Sequence, residues 1–431
     1  MKWSQFILTF EIDNQIILFN TYNKATVLFK IGEYNNIVDY FNKKEDYLKV
    51  NKEYLDILIN LEFVIENDYD EEVNLYKDIS NYMKKTEKLT VVILTTTSCN
   101  FKCSYCYENG ISRNNSFKIS NIKNILSLLK RYIANRKVNE IELTLFGGEP
   151  TLNWNFTKEF FIKFKEMCEY EEIKFKTDII TNGYLLDDKK INMLLENNLK
   201  RVQITLDGVA EVHNNRRVLF NGEKTFDKII KNIEYLLSTD IEEVNIRINY
   251  DKKNADGVVE LLIYISERFN NLKEKIKLSF GLVDTNLVNN NKVDLISTDQ
   301  LEKYYLIFYK KAMELGFRIE KYFETGSLCM AKRINSVIIS PDSKLYKCLS
   351  LIGTKLGEVG ELGSDILELN NYLNLEIYRD CFQRKCEFIP MCHMGCKFKS
   401  LINKGRIDEI DCEYSALKRI NTEIIKTLYD L

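Results

Sequence analysis

The chain has 431 residues, 45% of them apolar and 29% charged, which suits two or three domains with sizeable cores. Its net charge is −2 with acids and bases interspersed, so it carries no electrostatic footprint for nucleic acid or an acidic lipid surface. No apolar run reaches the ~18–20 residues of a membrane span, and Glu11 and Asp13 interrupt the start MKWSQFILTFEIDNQ where a signal peptide needs apolar residues, so a cytoplasmic protein is expected.

In the first 85 residues, IILFNTYNKATVLFK reads as a hairpin turning at TYNK. NNIVDYFNKK, KEYLDILINLEF and the strand-like FVIEN follow, in the order of a small winged-helix-like module. The acidic stretch ENDYDEE (66–72) reads as the start of a linker. From there strands and helices alternate. LTVVILTT (89–96) is a predicted strand, SNIKNILSLLKRYIA (120–134) a helix, ELTLF (142–146) a strand and NFTKEFFIKFKEMCEY (155–170) a helix. FKTDIIT (175–181), a helix near 187–197, RVQITL (201–206), a helix near 224–238, VNIRINY (244–250), GVVELLIYISERF (257–269), IKLSFGLV (276–283) and a helix near 299–315 follow. Six such units predict an α/β fold, a partial (β/α)6 barrel over 86–315 whose ligand face is the C-terminal edge of the strands. Past residue 329 cysteines, glycines and short segments dominate, and 316–431 is read as a domain held by metal clusters.

Eleven cysteines in such a chain point to metal or iron–sulfur ligation rather than disulfides. Cys99, Cys103 and Cys106 follow the first barrel strand. Cys329, Cys348, Cys381, Cys386, Cys392, Cys396 and Cys412 lie toward the C-terminus, and Cys168, on a helix with Phe160, Phe161 and Phe164, reads as core. Three thiolates on a 4Fe–4S cluster leave one iron with an open position. A zinc ion with a distant fourth ligand is the alternative.

CxxxCxxC in this place resembles the signature of the radical S-adenosylmethionine (SAM) enzymes. The resemblance implies that the open iron is chelated by the amino and carboxylate groups of SAM, which is cleaved to a 5′-deoxyadenosyl radical. Gly147-Gly148-Glu149-Pro150 resembles the family's GGEP motif, which contacts the SAM amino group; paired glycines permit close backbone approach and a carboxylate suits an ammonium. Thr181-Asn182-Gly183 and Thr205-Leu206-Asp207-Gly208 are similar to strand-end motifs near the SAM ribose and carboxylate. HNNRR (213–217) resembles the HDxxR stretch of peptide-modifying members, with Asn214 in place of Asp, and makes Arg217 the residue for the SAM carboxylate. Arg247 is a further candidate, with a surface ion pair as the alternative. His213 and His393, the two histidines of the chain, read as structural.

CFQRKCEFIPMCHMGC resembles the SPASM domain, which carries two auxiliary 4Fe–4S clusters beside the SAM-binding one. The gap between Cys381 and Cys386 is longer than usual, and Ser343 in PDSKLYKC stands where glycine is common. Carried over by position, Cys381, Cys386, Cys392 and Cys412 hold the outer cluster, and Cys329, Cys348 and Cys396 the inner one. Lys332, Arg333, Asn335 and Ser336 stand where relatives have a further cysteine. The inner cluster is therefore expected to keep an open iron for a substrate thiolate, with water or another side chain as the alternative. The N-terminal module resembles the recognition domain that adds a leader peptide as a strand to its sheet edge; the charge distribution argues against a DNA-binding winged helix. The chain is thus identified as resembling SPASM-type radical SAM maturases of ribosomally made peptides, of the thioether-forming (sactipeptide or ranthipeptide) type. The implied partners are a cysteine-containing precursor peptide with its leader and an electron donor such as flavodoxin or ferredoxin. Carbon–carbon or carbon–oxygen cross-linking and sulfatase-type formylglycine formation are the alternatives by the same chemistry. Leu349 departs from the last, whose members carry Asp after the cysteine at the Cys348 position. An iron–sulfur adaptor that only captures peptides is the alternative of another class.

Overall fold

Strands that alternate apolar residues bury one face, and helices with apolar residues three and four apart cover it. The computed structural model describes residues 1–42, 50–106, 114–283, 298–319, 328–364, 372, 374–393 and 395–429. The end of NNIVDYFNKK, from residue 43, lies outside them. The contacts divide the chain into two compact units, one of Met1–Tyr82 with Asn374–Leu431, the other of Met83–Lys321 with Cys329–Leu373.

In the first unit, β1 (Lys2–Trp3), β2 (Ile7–Ile12), β3 (Gln15–Asn20) and β4 (Thr26–Lys30) precede α1 (Ile31–Phe41), α2 (Lys52–Asn60), β5 (Val64–Ile65) and α3 (Glu71–Lys84). The expected hairpin joins β3 to β4, and a three-stranded antiparallel sheet runs β2-β3-β4. Asn20 Oδ1 accepts the Tyr22 N–H at 2.9 Å inside the turn, and β1 pairs with β5. Leu18, Val27 and Phe29 pack with Ile37, Leu55, Leu58 and Phe63. The linker expected to start at 66–72 is instead the entry to α3. Its acids stand where a helix N-terminus favours negative charge: Asp70 Oδ1 accepts the Val73 N–H at 3.0 Å. Glu71 accepts from Ser4 Oγ at 2.5 Å and the Gln5 N–H at 3.0 Å, which ties the helix start to the chain start.

In the second unit the alternation appears as read. β6 (Lys88–Thr96), β7 (Glu140–Gly147), β8 (Lys174–Thr181), β9 (Leu199–Thr205), β10 (Glu243–Tyr250) and β11 (Ile276–Leu282) are parallel neighbours. α4 (Ile122–Asn135), α5 (Trp154–Tyr170), α6 (Asp188–Glu196), α7 (Ala210–Arg216), α8 (Phe226–Leu237), α9 (Val258–Arg268) and α10 (Thr298–Glu314) fall between or after them. This is the α/β arrangement of a partial barrel. The sheet is wider than six strands: its order is β12-β11-β10-β9-β8-β7-β6-β13-β14-β15, with β12 (Arg318–Ile319), β13 (Ser336–Ile339), β14 (Lys344–Tyr346) and β15 (Glu358–Glu361). β13 lies parallel to β6, and β14 and β15 continue antiparallel. Cys168 is buried in the α5 core, where burial pushes its thiol up to about 12. Ser343 has φ 67°, a left-handed turn, which is why glycine suits that position.

The C-terminal part of the first unit holds α11 (Tyr378–Gln383), α12 (Ile389–Cys392), α13 (Lys397–Lys404) and α14 (Tyr414–Tyr429). Leu8 of β2 packs with Phe388, Met391 and Leu417, with Cys386 and Cys392 against the same cluster. Among the described residues no helix is long and apolar enough to cross a membrane.

Replacing Glu71 by Ala leaves the buried Ser4 hydroxyl and the Gln5 N–H short of their acceptor. A loss of about 1–3 kcal/mol is expected, read as a lower denaturant midpoint with faster amide exchange at Gln5.

Candidate active site

The C-terminal ends of β6 to β10 bring the predicted residues together. β7 ends at Gly147, where φ is +142° and a Cβ would stand 2.2 Å from Thr96 O; at Gly148 a Cβ would stand 2.4 Å from Ser98 O. Only glycines let this turn lie so close to the segment that leads into Cys99. The Gly148 and Glu149 N–H groups donate to Thr96 O at 3.0 Å and Ser98 O at 2.8 Å, and Thr95 Oγ1 donates to Pro150 O at 3.0 Å.

Glu149 is fully buried. Its Oε1 accepts from Thr151 N at 3.0 Å, Thr151 Oγ1 at 2.5 Å and Thr181 Oγ1 at 2.7 Å, and its Oε2 from Asn182 N at 2.8 Å. Burial pushes its pKa up, against these bonds, which favour the charged form. The carboxylate therefore joins the ends of β7 and β8. Asn182 extends the tie: its Nδ2 donates to Asn100 Oδ1 at 2.8 Å and lies 3.9 Å from Cys99 Sγ.

Burial, with the charges of Glu149, Cys103 and Cys106, pushes the Cys99 thiol up to about 12, while the Phe101 N–H, 3.4 Å from Sγ, opposes this. The three thiols thus share one electrostatic neighbourhood, and cationic iron among them would stabilise the thiolates. No three side chains of His, Cys, Asp or Glu converge as on a single ion among the described residues. Cys381 is pushed up to about 12 by burial and by Cys386, Cys392 and Cys412, so those four also lie within reach of one another's charge. Cys396 is exposed in the same unit; Cys329 and Cys348 belong to the other.

The β9 end explains the paired arginines. Arg216 Nε lies 3.3 Å from Asp207 Oδ2, and its Nη1 donates to both Asp251 oxygens at 3.1 Å. Arg217 instead donates to Tyr105 Oη at 2.7 Å, and its buried Nε has no hydrogen-bond partner. Burial disfavours the Arg217 charge, but Cys103, Tyr105 and Asp207 outweigh it and keep the guanidinium protonated. A nine-tenths buried cation with an uncommitted donor suits an anionic group such as the SAM carboxylate. Burial pushes Asp207 up, against both arginines.

His213 is structural here. Its Nδ1 faces the Asp207 N–H at 3.4 Å, and its Nε2 lies 3.2 Å from Thr225 Oγ1, which donates to Arg217 O at 2.6 Å. Asn214 Oδ1 accepts the Thr225 and Phe226 N–H groups at 2.8 and 3.0 Å, so the departure from Asp caps α8 with an amide. His393 closes α12 in a left-handed conformation. Sequence reasoning passed over Tyr105, inside the cysteine motif, and Lys347, buried beside Cys348 with its Nζ on Ser336 O, Ser336 Oγ and Arg333 O. The aromatic within a ligand motif and a lysine in a strand end were the available signals.

Two outcomes check these contacts. Glu149→Gln brings an amide donor against four donors and should lower stability by roughly 2 kcal/mol or more, read by chemical denaturation. Burial and the two arginines hold His213 well below its usual pKa. The unfolded chain therefore takes up a proton below about pH 6.5 that the folded one refuses, and stability falls with pH there by up to about 1.4 kcal/mol per unit. His213→Gln should flatten that slope in pH-dependent unfolding.

Comparison with known proteins agrees with this geometry. Residues 93–264 match the model of the radical SAM superfamily, a span from β6 into α9 that includes the triplet, the GGEP turn and both arginines. A cysteine-type anaerobic sulfatase-maturating enzyme of Clostridium novyi is 26% identical over 345 residues, covering 74% of this chain and 90% of the relative. Among solved structures, anSMEcpe with bound AdoMet superposes with a TM-score of 0.62 at 20% identity, covering 80% of this chain and 98% of that one. SuiB of Streptococcus suis bound to the precursor peptide SuiA gives 0.54 at 17% identity, covering 96% and 99%. Residues 93–264 therefore form a radical SAM domain, the domain of an enzyme class that uses SAM and a 4Fe–4S cluster.

Proposed function

We propose that this chain is a maturase of a cysteine-containing, ribosomally made peptide and that it installs thioether cross-links. One observation carries the reading: a separate N-terminal β-sheet module precedes the radical SAM domain and packs on the C-terminal cysteine segment. The fold of SuiB, solved with its precursor peptide, extends over 96% of this chain, module included. A leader bound to that module would raise the local concentration of the core peptide at the site. The division into 1–85, 86–315 and 316–431 expresses these three roles of recognition, radical chemistry and auxiliary clusters.

In this reading Cys99, Cys103 and Cys106 hold the SAM-binding cluster. Gly147 and Gly148 open the backbone beside it, and Pro150 stiffens the turn. Thr181, Asn182 and Asp207 border the nucleotide, and Arg217 takes its carboxylate. Glu149 acts mainly by bracing these strand ends. Cys381, Cys386, Cys392 and Cys412 hold one auxiliary cluster; Cys329, Cys348 and Cys396, by their order in the sequence, belong to the second. When bound, the cluster and SAM supply one-electron cleavage and hydrogen-atom abstraction. The buried Arg216–Asp207–Asp251 group keeps the surrounding charge fixed.

Sulfatase-type formylglycine formation is the second reading, favoured by the named Clostridium novyi relative. Coexpression with a small cysteine-rich peptide encoded beside the gene, followed by mass spectrometry, separates the two. A thioether removes two hydrogens per cross-link, whereas formylglycine from cysteine also loses sulfur. Cys103→Ala should lose essentially all 5′-deoxyadenosine formation in reconstituted protein, and iron chelation should do the same. Cys381→Ala should cut cross-linked product by more than about 100-fold while SAM is still cleaved. Unmodified peptide with active SAM cleavage would count against maturase activity on that peptide.

A further inference from the structure

Tyr378 opens α11 and Cys381 follows three residues later, so both stand on one face of that helix. One turn after Tyr378, Phe382 meets Phe6 edge-on, with ring centroids 6.5 Å apart. Lys385 then turns left-handed at φ 50°, and the Cys386 N–H donates to Cys381 O at 3.1 Å. Cys392 ends α12. At Gly395 φ is +67° and a Cβ would stand 2.7 Å from Asp411 O, so the segment after Cys392 runs against the one that enters Cys412. These turns all lie in the first unit, and they gather Cys386, Cys392 and Cys412 where their charges act on Cys381.

Tyr378 is only 1% exposed, and its buried Oη has no hydrogen-bond partner among the described residues. Burial, and after it the charges of Cys392 and Cys381, push this phenol well above its usual pKa. The hydroxyl therefore lies within reach of the charge on two of the four thiols. A phenylalanine would fill nearly the same volume without burying an unsatisfied hydroxyl, so the oxygen calls for a partner. An iron–sulfur cluster on these cysteines would bring sulfide and thiolate sulfur, which accept hydrogen bonds. The orphaned donor and the thiols around it fit such a cluster.

We propose that the Tyr378 hydroxyl donates a hydrogen bond to a sulfur of the cluster held by Cys381, Cys386, Cys392 and Cys412, and so raises its reduction potential. This rests on the auxiliary-cluster reading above. The reduced cluster carries one more negative charge than the oxidised one. A donor on sulfur stabilises that charge and favours the reduced state. Tyr378 thus acts on the potential and is not itself a ligand.

The test uses full-length protein reconstituted with iron and sulfide in the absence of oxygen. Midpoint potentials are read by redox titration followed by electron paramagnetic resonance. The signal missing from Cys381→Ala identifies the cluster in question. Tyr378→Phe should lower the midpoint of that signal and leave the others in place. At the wild-type midpoint its reduced-to-oxidised ratio should fall about 3- to 10-fold, a tenfold change being about 59 mV for one electron. Replacing Tyr378 by 3-fluorotyrosine nearly keeps the shape and makes the hydroxyl a stronger donor, so the midpoint should rise. An unshifted midpoint in Tyr378→Phe, at wild-type iron and sulfide content, overturns the inference. If Tyr378→Phe binds less iron, the fluorotyrosine protein decides, and a midpoint that stays or falls there overturns it. If Cys381→Ala keeps the wild-type iron content and every signal, the auxiliary-cluster reading falls and this inference falls with it.

Discussion

A buried carboxylate that must find donors governs the catalytic edge. Glu149 is fully buried, and its four hydrogen bonds come from its own turn and from the end of the next strand. Satisfying that charge fixes β7 against β8. Asn182, positioned by its N–H on Glu149, then reaches Asn100 and the Cys99 sulfur. The close approach at Gly147 and Gly148 belongs to the same constraint, because the turn must pass within a side chain's width of the chain entering the triplet. A residue whose charge suits an ammonium is thus committed to architecture first.

The opposite side of the site divides labour between neighbouring arginines. Arg216 bonds Asp207 and Asp251, and Arg217 adds its charge to the stabilisation of Asp207 without bonding to it. Arg217 is left on Tyr105, with one donor uncommitted. His213 supports this from below by keeping Thr225 on the Arg217 carbonyl. Without Arg216 the buried Asp251 would lose its partner, and without Arg217 the Tyr105 hydroxyl would lose its donor.

The six strand–helix units were legible because burial on one face imposes a period that survives in sequence, and the cysteine triplet was legible because identical residues at a fixed short spacing stand out in a sequence without any knowledge of the fold. Other parts were hidden for physical reasons. β13 is four buried residues, SVII, too short to show a period, and its partner β6 lies far back in the chain. ENDYDEE looked like a linker because helix-starting acids and disordered acids are written alike; the contact of Glu71 with Ser4 and Gln5 distinguishes them. HNNRR does not say which arginine meets an acid, since that depends on Asp251, which comes from another strand end.

The N-terminal module gains its meaning from where its sheet is buried. One face covers α1 and α2, as in any small sheet with helices. The other face is covered by residues more than 370 positions later, through Leu8 on Phe388, Met391 and Leu417. Burying one such leucine contributes roughly 2 kcal/mol, and Thr21 adds a hydrogen bond to the Glu387 carbonyl. Cys386 and Cys392 lie against this same cluster, so the sheet and the cysteine loop share packing that neither can abandon alone. The sheet and the cysteine segment therefore belong to one compact unit.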